Sequence, residues 1–238
     1  EADLRRIPRR QVDDIAIDRV SNQTLRECMQ TVLEDGPKRD RRLWLGDLRL
    51  QALANYSSYR NYDVVKRSML LLSGTCLTNG LVATAVYERP FVENDIACKI
   101  LDFTAIYPNL VQEYLDATGD RETCESLWPL VLKQLDFTLE AVDSEGLVRA
   151  ELPWWQFIDW QPEMKRQAAE QAVIVFSLRA LERLGKVLEA YCRDDGLETA
   201  ATFDQHLLLC GTCLLACLLG CYVEDILRIV AAHALVEQ

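Results

Sequence analysis

A helical hydrophobic period, broken only at short turns, governs what this chain can fold into. In PEMKRQAAEQAVIVFSLRALERLG, which begins at Pro162, the apolar residues Ala169, Val173, Phe176, Ala180 and Leu184 recur every three or four positions, the spacing of one helix face. Pro162 itself suits a helix's first turn. Upstream, the pattern in LDFTAIYPNLVQEYLDATGD ends where Gly119 can take a left-handed closing conformation and Asp120 can cap a second helix. That second helix runs to about Val142, where DSEGLV turns the chain. LGDLRLQALANYSSY and NYDVVKRSMLLLSGTC read as two more helices, with Asn61 as the cap between them. Only 10 glycines and 7 prolines stand among 238 residues, and no alternating strand pattern of useful length occurs, so a strand-rich sandwich with many turns does not fit. The expected fold is all-α, built of antiparallel helical hairpins.

The flanks are less regular. Residues 1–22, with RRIPRRQ as a basic arm, read as a charged, solvated lead-in. The helical domain is expected over 23–238, beginning with a helix that sets Leu25, Met29, Val32 and Leu33 at helical spacing. The first residue is Glu1 rather than Met, so the chain reads as an internal piece of a longer one. A net charge of -11 argues against nucleic acid, which needs a basic face. The nine cysteines are an odd number with mostly apolar neighbours, and His206 and His233 are the only histidines. Scattered thiols in a reducing compartment, the cytoplasm, are expected, with no metal and no cofactor. HLLLCGTCLLACLLGCYV, from His206 to Val223, reaches the ~18 apolar residues of a membrane helix. Gly211, Thr212, Gly220 and the lack of basic flanks favour a buried helix instead. On one helix Cys210 and Cys221 stand ~16 Å apart, too far to share one zinc.

The stretch EDGPKRDRRLWLGD, Glu34 to Asp47, breaks the helical period. Gly36 and Pro37 are turn residues, so Asp35 and Asp40 sit on a loop and Asp47 in the first turn of the helix that resumes near Trp44 or Leu45. Arg39, Arg41 and Arg42 can hold carboxylates by bidentate pairing. The indole of Trp44 suits the apolar face of a sugar ring. Taken alone, the stretch also fits an ordinary charged surface turn.

The stretch resembles the signature of the α-L-rhamnosidases of glycoside hydrolase family 78, roughly Asp-Cys-Pro-x-Arg-Asp/Glu-Glu-Arg-x-x-Trp-x-Gly-Asp. Asp35, Pro37, Arg39, Trp44, Gly46 and Asp47 match it. Gly36 replaces the cysteine, and the segment between Arg39 and Trp44 is one residue shorter. Two further segments are similar to that family in the same order: ILDFTAIYPNLVQEYLDATGD, and WWQFIDWQPEMKRQAAEQAVIVFSLRAL. Together they cover about Asp35 to Leu184.

The resemblance implies helical hairpins forming part or all of an (α/α)6 barrel, and an inverting hydrolysis of terminal rhamnose-like sugars. An acid protonates the glycosidic oxygen while a second carboxylate activates water on the other face. Asp40, immediately before Arg41, is the counterpart of the family's general acid. Asp35 and Asp47 correspond to ligands of the sugar hydroxyls, with Arg39 beside them and Trp44 as the aromatic wall. Asp159 and Trp160, with Trp155 nearby, are implied to line the pocket from another hairpin, whereas Glu93 and Asp95 read as a solvated loop. After about Gly185 no segment resembles the family's closing helices or its general base, so 186–238 read as a diverged or unrelated tail. Twelve helices do not fit comfortably in 238 residues, and seven or eight are expected. Three readings therefore stand: a rhamnosidase-like hydrolase, a non-catalytic sugar-binding remnant of that fold, or a helical scaffold whose apolar C-terminal helix packs on a partner or a membrane. Whether the chain is an enzyme stays open at this level, as does its oligomeric state.

Overall fold

Apolar residues three and four apart, interrupted by glycine, proline and capping side chains, set the helices. The computed structural model describes residues 9–39, 41–87, 100–149, 151–152, 154–158 and 166–188, with side chains from residue 14 onward. The chain divides into two compact units, Glu1–Thr75 with Ala85–Asn94, and Cys76–Thr84 with Asp95–Gln238.

The first unit contains α1 (Arg9–Cys28), β1 (Arg42–Trp44), α2 (Leu45–Ser57), α3 (Tyr62–Gly74) and β2 (Ala85–Tyr87). Helix α1 begins well inside the segment expected to be a lead-in, because no glycine or proline follows Pro8 until Gly36. It also stops at Cys28, short of Leu33. There Gln30 donates to the Val32 carbonyl at 3.0 Å, and Glu34 donates to the Cys28 carbonyl at 2.9 Å, a tight reversal. Helix α2 buries Leu45, Leu48 and Ala52 on one stripe, and α3 buries Val64, Ser68, Met69 and Leu72. β1 and β2 pair antiparallel, with Arg42 opposite Tyr87 and Trp44 opposite Ala85. These three-residue strands were not expected, since three residues are too few to register a period of two.

The second unit contains α4 (Leu101–Ala105), α5 (Tyr107–Thr118), α6 (Arg121–Leu139) and α7 (Gln167–Val187). Pro108 lies in the first turn of α5, so a break at Ile106 separates α4 from α5 within what reads as one apolar pattern. Gly119, at φ 69, closes α5 as expected. Asp120 caps α6, accepting the Thr123 N–H at 3.1 Å. The Asp120 carboxylate also accepts from the Thr123 hydroxyl at 2.7 Å and the Tyr114 hydroxyl at 2.9 Å. Burial, and after it the Asp120 carboxylate, hold the Tyr114 hydroxyl well above its ordinary pKa.

The buried face of α7 is rotated from the stripe expected of it. Ile174, Leu178 and Leu181 are buried, whereas Phe176 is 45% exposed. Glu170, Gln171 and Ser177 share the buried side, and an apolar pattern passes over them. Their partners are loops and helix ends: Gln171 accepts the Val148 N–H at 2.8 Å and donates to the Gly146 carbonyl at 2.9 Å. Ser177 donates to the Ala105 carbonyl. Gln134 of α6 makes the same double bond to another segment, accepting from Val82 at 3.0 Å and donating to Gly80 at 2.8 Å. Among the described residues no helix is long and apolar enough to cross a membrane. The apolar segment 206–223 lies outside them.

The α5–α6 turn yields a direct test. Asp120→Ala removes the acceptor for a helix-end N–H and two hydroxyls, and should lower unfolding stability by ~1–2 kcal/mol, read as the urea midpoint. An unchanged midpoint would show that water replaces the cap at no cost.

Candidate functional site

The acidic loop of the first unit closes on backbone before it presents any side chain. Asp35 N–H donates to the Arg42 carbonyl at 2.8 Å, and the Asp35 carbonyl accepts from Arg42 at 3.4 Å. Inside this pair the Gly36 carbonyl accepts the N–H groups of Arg39 at 2.7 Å and Arg41 at 3.2 Å. Gly36 has φ 58 and Arg41 φ 50, and a side chain in that region costs on the order of 1–2 kcal/mol per residue. Glycine at 36 avoids that cost, which gives a local reason for its presence where the resemblance has cysteine.

The loop's charges are held by separate partners. Arg39 Nη2 donates to Asp35 Oδ2 at 2.9 Å. With its side chain 71% exposed, the arginine adds only ~0.2–1 kcal/mol through this pair, so it orients Asp35 more than it stabilises the fold. Arg41 Nε donates to the Pro37 carbonyl at 3.0 Å. Arg42 and Trp44, two apart on β1, share a face, and Tyr87 stands opposite Arg42 on β2. The Arg42 guanidinium lies over both rings, 4.4 Å from the Tyr87 centroid and 5.5 Å from that of Trp44, a cation–π arrangement that fixes the indole. Asp47 sits in the first turn of α2, where the helix dipole favours negative charge. The buried Cys28 thiol is pushed up by burial first, and then by the charges of Asp35, Glu27, Asp47 and Glu34. Asp35 and Asp47 therefore lie within electrostatic reach of one group.

The second unit carries an aromatic corner. Residues 154–158 dock on the start of α4: Leu101 N–H donates to the Trp155 carbonyl at 3.0 Å, and Phe157 N–H donates to Asp102 Oδ1 at 2.9 Å. Trp155 and Phe157 are 43% and 41% exposed, with ring centroids 6.4 Å apart at 76°. Phe103 packs edge-on beneath Phe157 at 5.4 Å. Trp154 turns the other way, lining a small apolar recess with Leu81, Leu101, Thr104 and Phe137.

Two carboxyls lie below this corner. Asp102 is nearly buried, and burial raises its pKa while the Phe157 N–H, its own N–H and Arg166 lower it. Glu170 of α7 is fully buried, and among the described residues neither of its oxygens has a hydrogen-bond partner. Burial first, and then the Asp102 charge, push Glu170 from its ordinary 4.5 up to about 8, with Arg166 opposing. At neutral pH the proton of this pair belongs to Glu170, because among the described residues N–H groups stabilise the anion at Asp102 and not at Glu170.

Of the residues expected from the sequence, Asp35, Arg39, Trp44 and Asp47 gather around the first-unit loop, and Trp155 stands in the aromatic corner of the second unit. Asp40, Asp159 and Trp160 lie outside the described residues, as do Glu93 and Asp95. Sequence reasoning missed Asp102, Phe157, Glu170 and the Tyr87 side of the Arg42 sandwich. A signal existed for Glu170: it lies four residues before Ile174 and eight before Leu178, a carboxylate on an apolar helical stripe. Among the described residues no cluster of three or more His, Cys, Asp or Glu side chains could hold a metal ion.

The family model of the bacterial alpha-L-rhamnosidase 6 hairpin glycosidase domain matches residues 11–207. The chain belongs to this family. A rhamnosidase from Klebsiella oxytoca, solved with rhamnose bound, is 37% identical with a TM-score of 0.75, and the match covers 83% of this chain and 37% of that one. A GH78 family rhamnosidase of Bacillus sp. GL1 is 25% identical with a TM-score of 0.66, covering 80% of this chain and 19% of its own. This rhamnosidase-family domain thus spans well under half the length of either. No curated protein matches it. The all-α hairpin fold is that of the six-hairpin glycosidases.

The buried Glu170 gives this rhamnosidase-family domain a specific pH dependence. A carboxyl raised from 4.5 to about 8 is ionised in the unfolded chain but protonated in the folded one between those values. The folded state then binds more protons, so the stability contribution is complete below pH 4.5 and is lost as pH rises toward 8. The slope is at most about 1.4 kcal/mol per pH unit. Glu170→Gln should flatten it, leaving the variant more stable than the parent at pH 8. Thermal midpoints at pH 5, 6.5 and 8 check this, and parallel curves for the two proteins would contradict it.

Proposed function

We propose that this domain binds a terminal α-L-rhamnose-like sugar and acts in its inverting hydrolysis, with Asp40 as the proton donor. The observation that carries the reading is the 37% identity, over 83% of the chain, to a rhamnosidase whose structure holds rhamnose. The first-unit loop supports it. Asp35 is oriented by Arg39 and Trp44 by Arg42, so a carboxylate and an indole are fixed before any sugar arrives, which lowers the entropy cost of binding. In this reading Asp35 and Asp47 of the first unit accept hydrogen bonds from sugar hydroxyls and Trp44 covers an apolar ring face, while the family resemblance assigns sugar contacts to Trp155, Asp159 and Trp160 of the second unit. Asp40 protonates the departing glycosidic oxygen, and water attacks from the opposite face under a carboxylate about 6.5–9.5 Å away. Sugar binding without turnover is the second reading.

Substrates with different leaving groups separate these roles. Asp40→Asn should lower turnover of an alkyl α-L-rhamnoside by about 10²-fold or more, yet spare most of the rate with an activated aryl rhamnoside, which needs no proton. Asp35→Asn and Asp47→Asn should weaken both substrates alike, since lost hydroxyl contacts do not depend on the leaving group. Equal losses for both substrates in Asp40→Asn would move the acid elsewhere. Calorimetric binding of rhamnose without hydrolysis by the unmodified chain would select the second reading.

A further inference from the structure

The loop 154–158 exposes two large aromatic side chains on a strongly acidic chain. Two of its backbone anchors are on α4. The Leu101 N–H donates to the Trp155 carbonyl, and the Asp102 carboxylate accepts the Phe157 N–H, so the short segment through Gln156 is pinned on both sides. Phe103, one residue further along α4, supports the Phe157 ring from below. The result is one exposed indole face set against a phenyl ring at 76°. Such a corner offers C–H and methyl groups of a sugar two apolar walls at once, and a 6-deoxy sugar such as rhamnose carries a methyl where most hexoses carry a hydroxymethyl group.

Asp102 is costly for a residue with no role. It is a carboxylate buried to 8% exposure, and its neighbour Glu170 is a second buried carboxyl that has no hydrogen-bond partner among the described residues. A buried apolar pair would serve packing better. What Asp102 does that an apolar residue cannot is accept the Phe157 N–H. Glu170, uncharged beneath it, leaves Asp102 as the anion of the pair. The charged groups that reach this pair are Asp102 itself on α4, Glu170 on α7 and Arg166 just before α7.

We propose that Asp102 is a positioning residue for sugar binding, and that by gripping the Phe157 amide it fixes the Trp155–Phe157 corner as a stacking surface in which Phe157 touches the sugar beside Trp155. This rests on the sugar-binding reading above and adds two residues to it.

The test reads the loop and the sugar separately. Hydrogen exchange of the peptide spanning 154–158 follows the grip without any ligand, and calorimetry with L-rhamnose follows the binding. Asp102→Ala should speed exchange of that peptide about tenfold or more and weaken rhamnose binding about tenfold, with exchange across α6 unchanged. Asp102→Asn keeps an acceptor oxygen and should retain most of both. Phe157→Ala, at an exposed position that does not threaten folding, should weaken binding about tenfold. It keeps the proposal testable should Asp102→Ala not fold. Unchanged rhamnose affinity in Phe157→Ala, or a freed loop with unchanged affinity in Asp102→Ala, overturns the proposal while leaving the sugar reading in place. An unmodified chain that binds no rhamnose overturns both, and the exchange data then show only that Asp102 holds the loop.

Discussion

Loops in this protein are held by buried side chains that stand in for backbone. A loop folded against a core must satisfy its N–H and C=O groups without water, and backbone partners from a neighbouring strand or helix meet only part of that need. Gln134 meets this need by bonding Val82 and Gly80 at once, and Gln171 by bonding Val148 and Gly146. Asn55 does the same between α2 and α3, accepting the Asn61 N–H and donating to its carbonyl, both at 3.0 Å. Ser68 takes the Leu33 N–H at 2.9 Å beneath the turn that follows α1. Each carboxamide presents one donor and one acceptor side by side, as a peptide group does. The helices therefore do more than pack: their buried polar residues decide the course of the chain between them.

Asp102 belongs to this set, with one difference. An amide clamps a loop at no electrostatic cost, whereas a carboxylate must be desolvated. The structure offsets that with two N–H groups and with Arg166, and leaves the neighbouring Glu170 to carry a proton instead. The pair is a case of two carboxyls whose surroundings push them apart, the same physical logic by which one fold can keep an acid and a base at one pH. In the first unit the opposite economy holds. Asp35 and Asp47 remain half-exposed; the exposed Arg39 orients Asp35, and the partly buried Arg42 holds the Trp44 ring.

Much of the fold was legible because helical periodicity is local. The ATGD turn was read correctly, since Gly119 and Asp120 act within one turn of their own positions, and so was the Asn61 cap. The readings that failed depended on distant residues. The apolar stripe expected on α7 holds at its C-terminal end, where Ala180 and Leu184 are buried, but fails at Phe176 because α7 turns its polar Gln171 and Ser177 inward to partners 23 to 72 residues away. β1 was read as loop because its partner β2 lies some forty residues on and each strand is three residues long. Within the site, Asp35, Trp44 and Asp47 were visible as a crowded signature. Asp102 and Phe157 were not, because neither is notable until the loop carrying one lies on the helix carrying the other.

The sequence by itself determined the helix class, the hairpin turns, the family resemblance and the residues of the acidic loop, since all of these are written in spacings of a few residues. Tertiary structure alone decided which carboxyl holds a proton, which arginine fixes the indole and which backbone amide holds the aromatic corner. Those outcomes depend on burial and on partners tens of residues apart, such as Phe157 on Asp102 across 55 positions, and no local pattern encodes them.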